Sequence, residues 1–112
     1  MRGSALDREA IWKAFNEAVN LGPDELEDWL GTPESCRVGQ KKDSGGESVG
    51  HASGRKIVQI LRTPMEVLSD EDYLHMRKVV GYVRRHRAQE PANMVTSRWR
   101  YSLMNWGHDP LK

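Results

Sequence analysis

Cysteine is almost absent from this sequence. The one cysteine, Cys36, cannot form an internal disulfide, and such sparse use of cysteine fits a reducing cytoplasm. Long apolar runs are absent too: no stretch reaches the roughly 18 residues of a transmembrane helix, so we expect no membrane partner. The opening residues MRGSALDREA lack the apolar core of a signal peptide. We interpret residues 1–5 as a disordered end or a vector-derived leader.

Recognisable catalytic and metal-binding motifs are also missing. The four histidines are scattered along the chain: His51, His75, His86 and His108. There is no HExxH or CxxC pattern, and the segment GESVGHASG lacks the Gly-Lys-Ser/Thr end of a phosphate-binding loop. The sequence identifies no histidine partner for Cys36, which we interpret as an incidental small thiol. We therefore expect a protein that is not an enzyme and has no metal site or cofactor.

Neither sign of charge dominates, because the net charge is only +1. The charges are nevertheless unevenly distributed. Residues 1–36 hold three basic residues against eight acids, a net charge of −5, whereas residues 37–112 hold fourteen against eight, a net charge of +6. This asymmetry points to a polyanionic partner. With 112 residues, 38% apolar and 29% charged, the composition is that of a single globular domain, residues 1–112.

The longest predicted helix runs from Ser69 to Gln89, SDEDYLHMRKVVGYVRRHRAQ. Ser69 is a good N-cap and Asp72 completes a capping box, while basic residues crowd the other end, as the helix dipole favours. Apolar residues at spacings of three and four predict a buried stripe: Tyr73, Met76, Val79, Val80 and Val83. The opposite face has no acid after Asp72, so one helix supplies both a core seam and a basic surface.

Other segments also have helical patterns, and none has the alternation of a strand. The predicted helices are 7–20, 23–30, 47–62 and Met94 or Val95 to Asn105, with a helical turn at Pro33–Cys36. Gly50 and Gly54, four residues apart, predict a close approach by another element, unless that helix begins only after Gly54. We predict an all-α fold: a compact bundle of four main helices plus a short helical turn.

The remaining features of the chain are loops and tryptophans. Residues 37–46, RVGQKKDSGG, predict an exposed, mobile loop, and Glu90–Asn93 predicts a turn. All four tryptophans occupy apolar-stripe positions and are interpreted as core residues rather than base-stacking platforms: Trp12, Trp29, Trp99 and Trp106.

Arginine and lysine side chains predict a nucleic-acid-binding surface, because phosphates attract them largely irrespective of sequence. The candidate residues are Arg55, Lys56, Arg77, Lys78, Arg84, Arg85, Arg87, Arg98 and Arg100. The last two predicted helices, joined by a short turn, resemble a helix-turn-helix in outline, and Tyr101, Ser102 and Asn105 could donate hydrogen bonds. We predict a small DNA-binding protein that contacts the phosphate backbone with weak or no sequence specificity, in the cytoplasm and associated with the nucleoid.

Two other interpretations stay open. The same cations could form a solvated face that serves solubility and compensates the helix dipole. Alternatively, the protein could be an interaction or structural module without nucleic-acid binding. In that case the acidic segment Asp24–Asp28 and the Gly50/Gly54 face would dock partners or a second copy, giving a homodimer. The acidic segment could also fold over the basic face and inhibit it.

Four blocks of the sequence resemble a family known only as a domain of unknown function, number three-one-four-zero. The blocks are VNLGPDELEDWLGTPES, GESVGHASGRKIVQIL, DEDYLHMRKVVGYVRRHRAQ and RWRYSLMNWGHDPLK. The resemblance covers nearly everything from Phe15 to Lys112, and GESVGH, HMRKVV and NWGHD are its specific parts. It implies no catalytic or binding residues. Some members carry the label DNA-binding protein, which favours the nucleic-acid hypothesis.

Overall fold

The computed structural model describes residues 7–38, 47–89 and 97–112. Within these ranges the chain forms the helices α1 (Arg8–Ala18), α2 (Pro23–Leu30), α3 (Pro33–Arg37), α4 (Val49–Leu61), α5 (Asp70–Arg87) and α6 (Arg98–Asn105). A 3₁₀ turn, Met65–Val67, precedes α5. These ranges contain no strand, so the all-α class is confirmed. Five of the helices have eight residues or more, one for each of the five predicted helical segments, whereas the predicted bundle counted four main helices. α3 is the predicted short turn.

α5 forms as its sequence predicts. The Ser69 hydroxyl accepts a hydrogen bond from the Asp72 amide (3.2 Å), and the Asp72 carboxylate accepts one from the Ser69 amide (2.9 Å), which completes the capping box. The whole predicted stripe is buried: Tyr73, Met76, Val79, Val80 and Val83. The helix ends at Arg87, two residues before the predicted end at Gln89.

α1 packs along α5 in the same direction. At the beginning of both helices the Arg8 guanidinium lies 2.5 Å from the Asp70 carboxylate and also covers the Tyr73 ring. Near their ends, Ala18 of α1 and Val83 of α5 line the same cleft. The apolar face of α1 therefore covers one side of the α5 seam.

α4 packs against α5 in the opposite direction. Ser53 Oγ lies 2.9 Å from His75 Nε2, and one helical turn later Lys56 Nζ lies 2.7 Å from an Asp72 carboxylate oxygen. The position along α4 thus increases as the position along α5 decreases, which defines the antiparallel pair.

α2 packs antiparallel to α4. The Arg62 guanidinium, just after α4, binds the carboxylates of Asp24 (2.7 Å) and Glu27 (3.0 Å) in α2. At the other end, Leu30 lies against Gly54. The acidic segment Asp24–Asp28 therefore faces the end of α4, where Arg62 neutralises part of its charge.

α6 and the residues after it close the bundle. The Trp99 indole N–H donates to the carbonyl of His86 (2.6 Å), and the ring of Trp106 stacks on Tyr82 with centroids 4.3 Å apart. Gly107 has φ +82°, the left-handed conformation in which a glycine commonly ends a helix. Its carbonyl accepts from the amide of Asn20 (3.0 Å), so the C-terminal residues hold the α1–α2 connection.

The tryptophans contribute to the core, as predicted. Trp106 is buried, and Trp12, Trp29 and Trp99 are partly buried and pack against the central cluster. The cluster contains Phe15, Val19, Leu21, Leu26, Leu30, Ile57, Val58, Ile60, Leu68, Tyr73, Met76, Val79, Val80, Val83, Leu103 and Trp106.

The two glycines of α4 permit close helix packing. α4 begins at Val49, with the Ser48 hydroxyl capping it, so the alternative start after Gly54 is wrong. A Cβ at Gly54 would lie 2.6 Å from the carbonyl oxygen of Asn105 and 2.7 Å from a methyl carbon of Leu30. A Cβ at Gly50 would lie 2.9 Å from the Trp106 indole nitrogen. The Gly50/Gly54 face is therefore occupied inside the protein, which corrects its proposed role as a docking face.

Asn105 is fully buried, which corrects the prediction that it could donate a hydrogen bond to nucleic acid. Its side-chain oxygen accepts from the Trp29 indole N–H (2.7 Å) and the Ser35 hydroxyl (2.5 Å), and its amide nitrogen donates to the Ser35 carbonyl (3.1 Å). The end of α6 is enclosed by α2, α3 and α4, so this position has no solvent-facing side.

Three predicted boundaries require comment. α6 begins at Arg98, later than predicted, because the Ser97 hydroxyl accepts from the Arg100 amide and caps the helix. The predicted loop 37–46 begins too early, since Arg37 belongs to α3 and Val38 is buried. Residues 1–5, the rest of that loop and the turn at Glu90–Asn93 lie outside the described residues.

Replacing Gly54 with Ala is expected to lower the free energy of unfolding by about 2 kcal/mol, because the new methyl group would clash with the backbone of Asn105. The clash outweighs the gain of about 1 kcal/mol that alanine brings in helix propensity. Gly81→Ala in α5 is the matched control. Its Cβ meets only the end of the Arg85 side chain (3.1 Å), so a gain of about 0.5 to 1 kcal/mol is expected. Urea unfolding checks both variants, and equal effects would contradict the close packing.

Replacing Asn105 with Ala is expected to cost about 3 kcal/mol, because it leaves polar groups of Trp29 and Ser35 without their buried partner. Asn16→Ala is the control. Its exposed amide donates only to the Trp12 carbonyl in the preceding turn, so its cost should stay within about 0.5 kcal/mol. Urea unfolding at neutral pH measures both costs. A small effect at Asn105 would contradict its role as the buried hydrogen-bond partner of Trp29 and Ser35.

Candidate anion-binding face

The structure divides the nine predicted phosphate-binding cations into two groups. Four of them are engaged within the protein: Arg55, Lys56, Arg98 and Arg100. The other five project from α5 and have no ion pair with a carboxylate among the described residues: Arg77, Lys78, Arg84, Arg85 and Arg87. We call these five the α5 basic face.

The engaged cations are held by specific partners. Arg55 grips Glu47 with two hydrogen bonds of 2.8 and 2.5 Å, and these bonds hold the pKa of the Glu47 carboxyl at about 2. Arg100 binds both carboxylate oxygens of Asp109 at 3.1 Å, and Arg98 donates to the Arg37 carbonyl. Forming contacts to an external phosphate would require these cations to leave internal partners.

The α5 basic face consists of side chains spaced by helical turns. Arg77 and Arg84 are seven residues apart, as are Lys78 and Arg85, so each pair lies two turns apart along one side of the helix. All five residues are exposed. α1, α4 and α6 pack against α5. The five exposed cations spread over the rest of its surface, with Lys78 beside α4 and with Arg84 and Arg87 beside α1.

A small cleft of about 180 Å³ lies at the end of α5, and we call it the terminal cleft. Its polar lining residues are Glu17, Arg84, Arg87 and His108. His108 is only 6% exposed, and its Nδ1 lies 2.6 Å from the carbonyl of Ala18. Its Nε2 is buried and has no hydrogen-bond partner among the described residues. Burial lowers the pKa of His108, and the charge of Arg87 lowers it further.

A second cleft of about 490 Å³ lies between α4 and α5. Its walls carry both signs of charge, with Lys56 and Lys78 against Glu47 and Glu71. Two of these groups are already paired, Lys56 with Asp72 and Glu47 with Arg55. Lys78 connects this cleft to the α5 basic face.

Cys36 has a histidine neighbour that the sequence did not reveal. Its Sγ lies 3.8 Å from His51 Nε2, and His51 Nδ1 contacts the Glu47 carboxylate. The same Nε2 lies 2.7 Å from the Leu30 carbonyl, so both ring nitrogens face oxygen acceptors. The thiol therefore shares Nε2 with the nearer Leu30 carbonyl, while Nδ1 is engaged by Glu47. The pairing depends on the packing of α3 beside α4, and the Glu47–His51 spacing of four residues was its one local signal.

The acidic segment does not cover the α5 basic face. Arg62 binds Asp24 and Glu27, and Lys112 binds Glu25 at 2.7 Å. These contacts place the acids of α2 beside the end of α4 and the C-terminus, which corrects the idea that they screen the arginines of α5.

No helix in the described residues is long and apolar enough to cross a membrane. The same part of the chain contains no group of three or more His, Cys, Asp or Glu side chains arranged to hold a metal ion.

One family comparison identifies relatives of this chain. The sequence model of a family described as protein of unknown function (DUF3140) matches residues 14–104. The match includes α2, α3, α4, α5 and most of α6, and it confirms the resemblance found from the sequence blocks. No curated protein and no solved structure matches the chain.

One buried and two partly buried histidines predict that acidification weakens the fold. Burial lowers the pKa values of His75, His86 and His108 in the folded protein. The unfolded chain therefore binds more protons below about pH 6.5, and the free energy of unfolding falls as pH drops from 7.5 to 5.5, by up to about 1.4 kcal/mol per pH unit for each proton taken up.

Urea unfolding at three pH values in this window measures the slope. His108→Gln should flatten it, because one of the contributing rings is removed. The paired carboxyls do not interfere, since the pKa values of Glu47, Asp72 and Asp109 are lowered and these groups stay ionised in this range. A stability that stays constant or rises on acidification would show that the rings are not buried as neutral groups.

Proposed function

We propose that this protein binds DNA by placing the α5 basic face against the phosphate backbone. The chain belongs to the DUF3140 family of proteins of unknown function. The observation that carries the proposal is the set of five exposed α5 cations without an ion pair among the described residues. Neutralising phosphates releases condensed counterions, which drives association largely irrespective of base sequence.

The dimensions of α5 fit such a contact. Residues 77–87 span about 15 Å of helix axis, which corresponds to about four base-pair steps of duplex DNA. Five cations over this length can contact several successive phosphates. A binding surface of this kind positions a protein on DNA without reading bases, so we propose weak or no sequence specificity.

α6 does not supply a base-reading helix in this proposal. Asn105 is buried and bonded internally, and Arg100 binds Asp109. Tyr101 and Ser102 are only partly exposed. We therefore place the DNA contact on α5 and do not extend it to the helix-turn-helix-like pair. Binding to DNA in this way requires no catalytic step and implies a cytoplasmic, nucleoid-associated location.

A protein-interaction module is the competing function, and one observation favours it. Apolar side chains of the 3₁₀ turn and of the beginning of α5 are exposed: Met65 is 46%, Val67 is 67% and Leu74 is 44% accessible. These residues offer a place for a protein partner or a second copy, which the Gly50/Gly54 face does not.

Arg84→Gln combined with Arg87→Gln is expected to weaken binding to any duplex and to reduce its salt dependence. If all five cations contact phosphates, the slope of log K against log salt is about −4.5, and the double variant lowers its magnitude to about 2.7. Fluorescence anisotropy of a labelled duplex, at salt concentrations from about 50 to about 200 mM, measures the affinity and its salt dependence.

Arg55→Gln combined with Arg62→Gln provides the charge-matched control. It removes the same two positive charges, but both arginines are bound to carboxylates in the folded protein. Its affinity should stay near that of the unchanged protein. If the two double variants lose affinity equally, the contact is not located on α5. If the unchanged protein fails to bind DNA at low salt and instead forms a dimer in size-exclusion chromatography, with Val67 in the interface, the interaction function is favoured.

A further inference from the structure

We propose that the terminal cleft binds a phosphomonoester group, held by Arg84, Arg87 and His108. The inference deepens the proposed function and rests on it for the source of that group, which is the terminal phosphate of a DNA strand. A free phosphomonoester shares the same chemistry, and the experiment below distinguishes the two sources.

The state of the His108 ring limits what the cleft can accept. The Ala18 carbonyl can only accept a hydrogen bond, so Nδ1, 2.6 Å away, carries the hydrogen and donates it. In the neutral ring this leaves a lone pair on Nε2. That atom is buried and has no partner among the described residues, an uncommon situation for a polar atom in a folded protein. The group that completes this site must donate a hydrogen bond to Nε2.

The two arginines impose a second requirement. Arg84 and Arg87 border the cleft, and neither has an ion pair with a carboxylate among the described residues. Guanidinium groups in such a place bind oxyanions. A phosphomonoester with one proton satisfies both requirements, because it is an anion that keeps a P–O–H group. A phosphodiester and a sulfate have the charge but no hydrogen to donate.

The cleft has the size and mobility for this ligand. Its volume of about 180 Å³ accommodates a phosphate group but not a nucleobase with its sugar and phosphate. His108 lines the cleft, and its Nε2 is closed to solvent. Arg84 and Arg87 line the same cleft and are exposed, and exposed side chains change rotamer within nanoseconds, so the cleft can adjust its shape to a bound oxyanion.

Charged groups of α1, α5 and the C-terminal residues set the pH dependence of ligand binding in the terminal cleft. Glu17 of α1 lines the cleft, Arg84 and Arg87 of α5 border it, and Asp109 beside His108 is bound by Arg100 of α6. The lowered pKa of His108 keeps the free ring neutral at pH 7. Glu17 disfavours a second negative charge on the ligand. The complex therefore holds one proton shared between the phosphate oxygen and Nε2.

This proton makes binding weaken as pH rises. Phosphomonoesters lose their second proton near pH 6, so at pH 7 to 8 most of the free ligand lacks the proton that the complex holds. Binding then takes up nearly one proton, and the dissociation constant rises about tenfold per pH unit. Below about pH 6 the free ligand already carries the proton and the affinity becomes constant.

The test follows the His108 ring by ¹⁵N-edited NMR of the full chain during titration with methyl phosphate, with the ionic strength held by chloride. Comparison with His108→Gln identifies the signals among the four histidines. We expect saturable shifts of the Nε2 signal and binding about tenfold weaker in Arg87→Gln, an exposed position where the fold is not at risk. Arg62→Gln, whose side chain binds Asp24 and Glu27, should leave the titration unchanged.

Dimethyl phosphate and sulfate are the matched ligands without a transferable proton. Both should bind at least about tenfold more weakly than methyl phosphate at pH 7. Equal binding of all three, or no response of the His108 ring to methyl phosphate, would overturn the inference even if the protein binds DNA.

Duplexes with a 5′-phosphate or a 5′-hydroxyl then separate the two sources. Tighter binding of the phosphorylated end, lost in Arg87→Gln, supports the DNA terminus. Methyl phosphate binding with no preference for phosphorylated ends supports the cleft with a free phosphomonoester as its ligand. If methyl phosphate binds but no duplex does, the proposed DNA-binding function fails and the phosphomonoester site stands.

Discussion

The buried amide of Asn105 imposes the strictest constraint on this bundle. A polar group removed from water is costly unless each of its hydrogen-bonding atoms has a partner, and here the partners come from α2 and α3. Apolar packing tolerates small shifts, whereas these directional bonds do not. The absence of a side chain at Gly54 lets α4 reach the backbone of Asn105 at the same point. Four helices must therefore take up their positions together.

This constraint also places the candidate binding surface. Directly after Asn105 the chain turns at Gly107, whose carbonyl binds the amides of Asn20 and Leu21. That turn carries His108 to the end of α1, beside Arg84 and Arg87 of α5. The terminal cleft is thus a product of core packing, although its arginines lie outside the core. Because α1, α4 and α6 use the other sides of α5, the remaining side is free to carry charge.

Local signals in the sequence predicted much of the fold. Caps and apolar spacing gave the bounds of α2 without error and those of α5 within two residues, since these features act over a few neighbouring positions. The pair Gly50/Gly54 correctly indicated close packing but not its partner. The predictions that failed depend on contacts between residues far apart in the chain. Asn105 looks like a surface residue on a helical wheel, and its burial depends on α2 and α3, which are about 70 residues away in the chain. The Cys36–His51 contact was missed for the same reason.

At the candidate site, too, the sequence alone could not show which charged side chains have partners. Nine of the seventeen Lys and Arg residues were candidates for phosphate binding. Only the folded chain decides which of them meet carboxylates, and it pairs Arg55, Lys56 and Arg100 with them. The Arg55–Glu47 pair is the most exposed of the three, and surface ion pairs add little to stability. Their larger effect is on where uncompensated positive charge remains. With a net charge of +1 and a screening length of about 8 Å at physiological salt, the protein exerts little attraction at long range. Under the proposed function a polyanion is therefore held by direct contact with α5, and the distribution of ion pairs matters more to that function than the total charge.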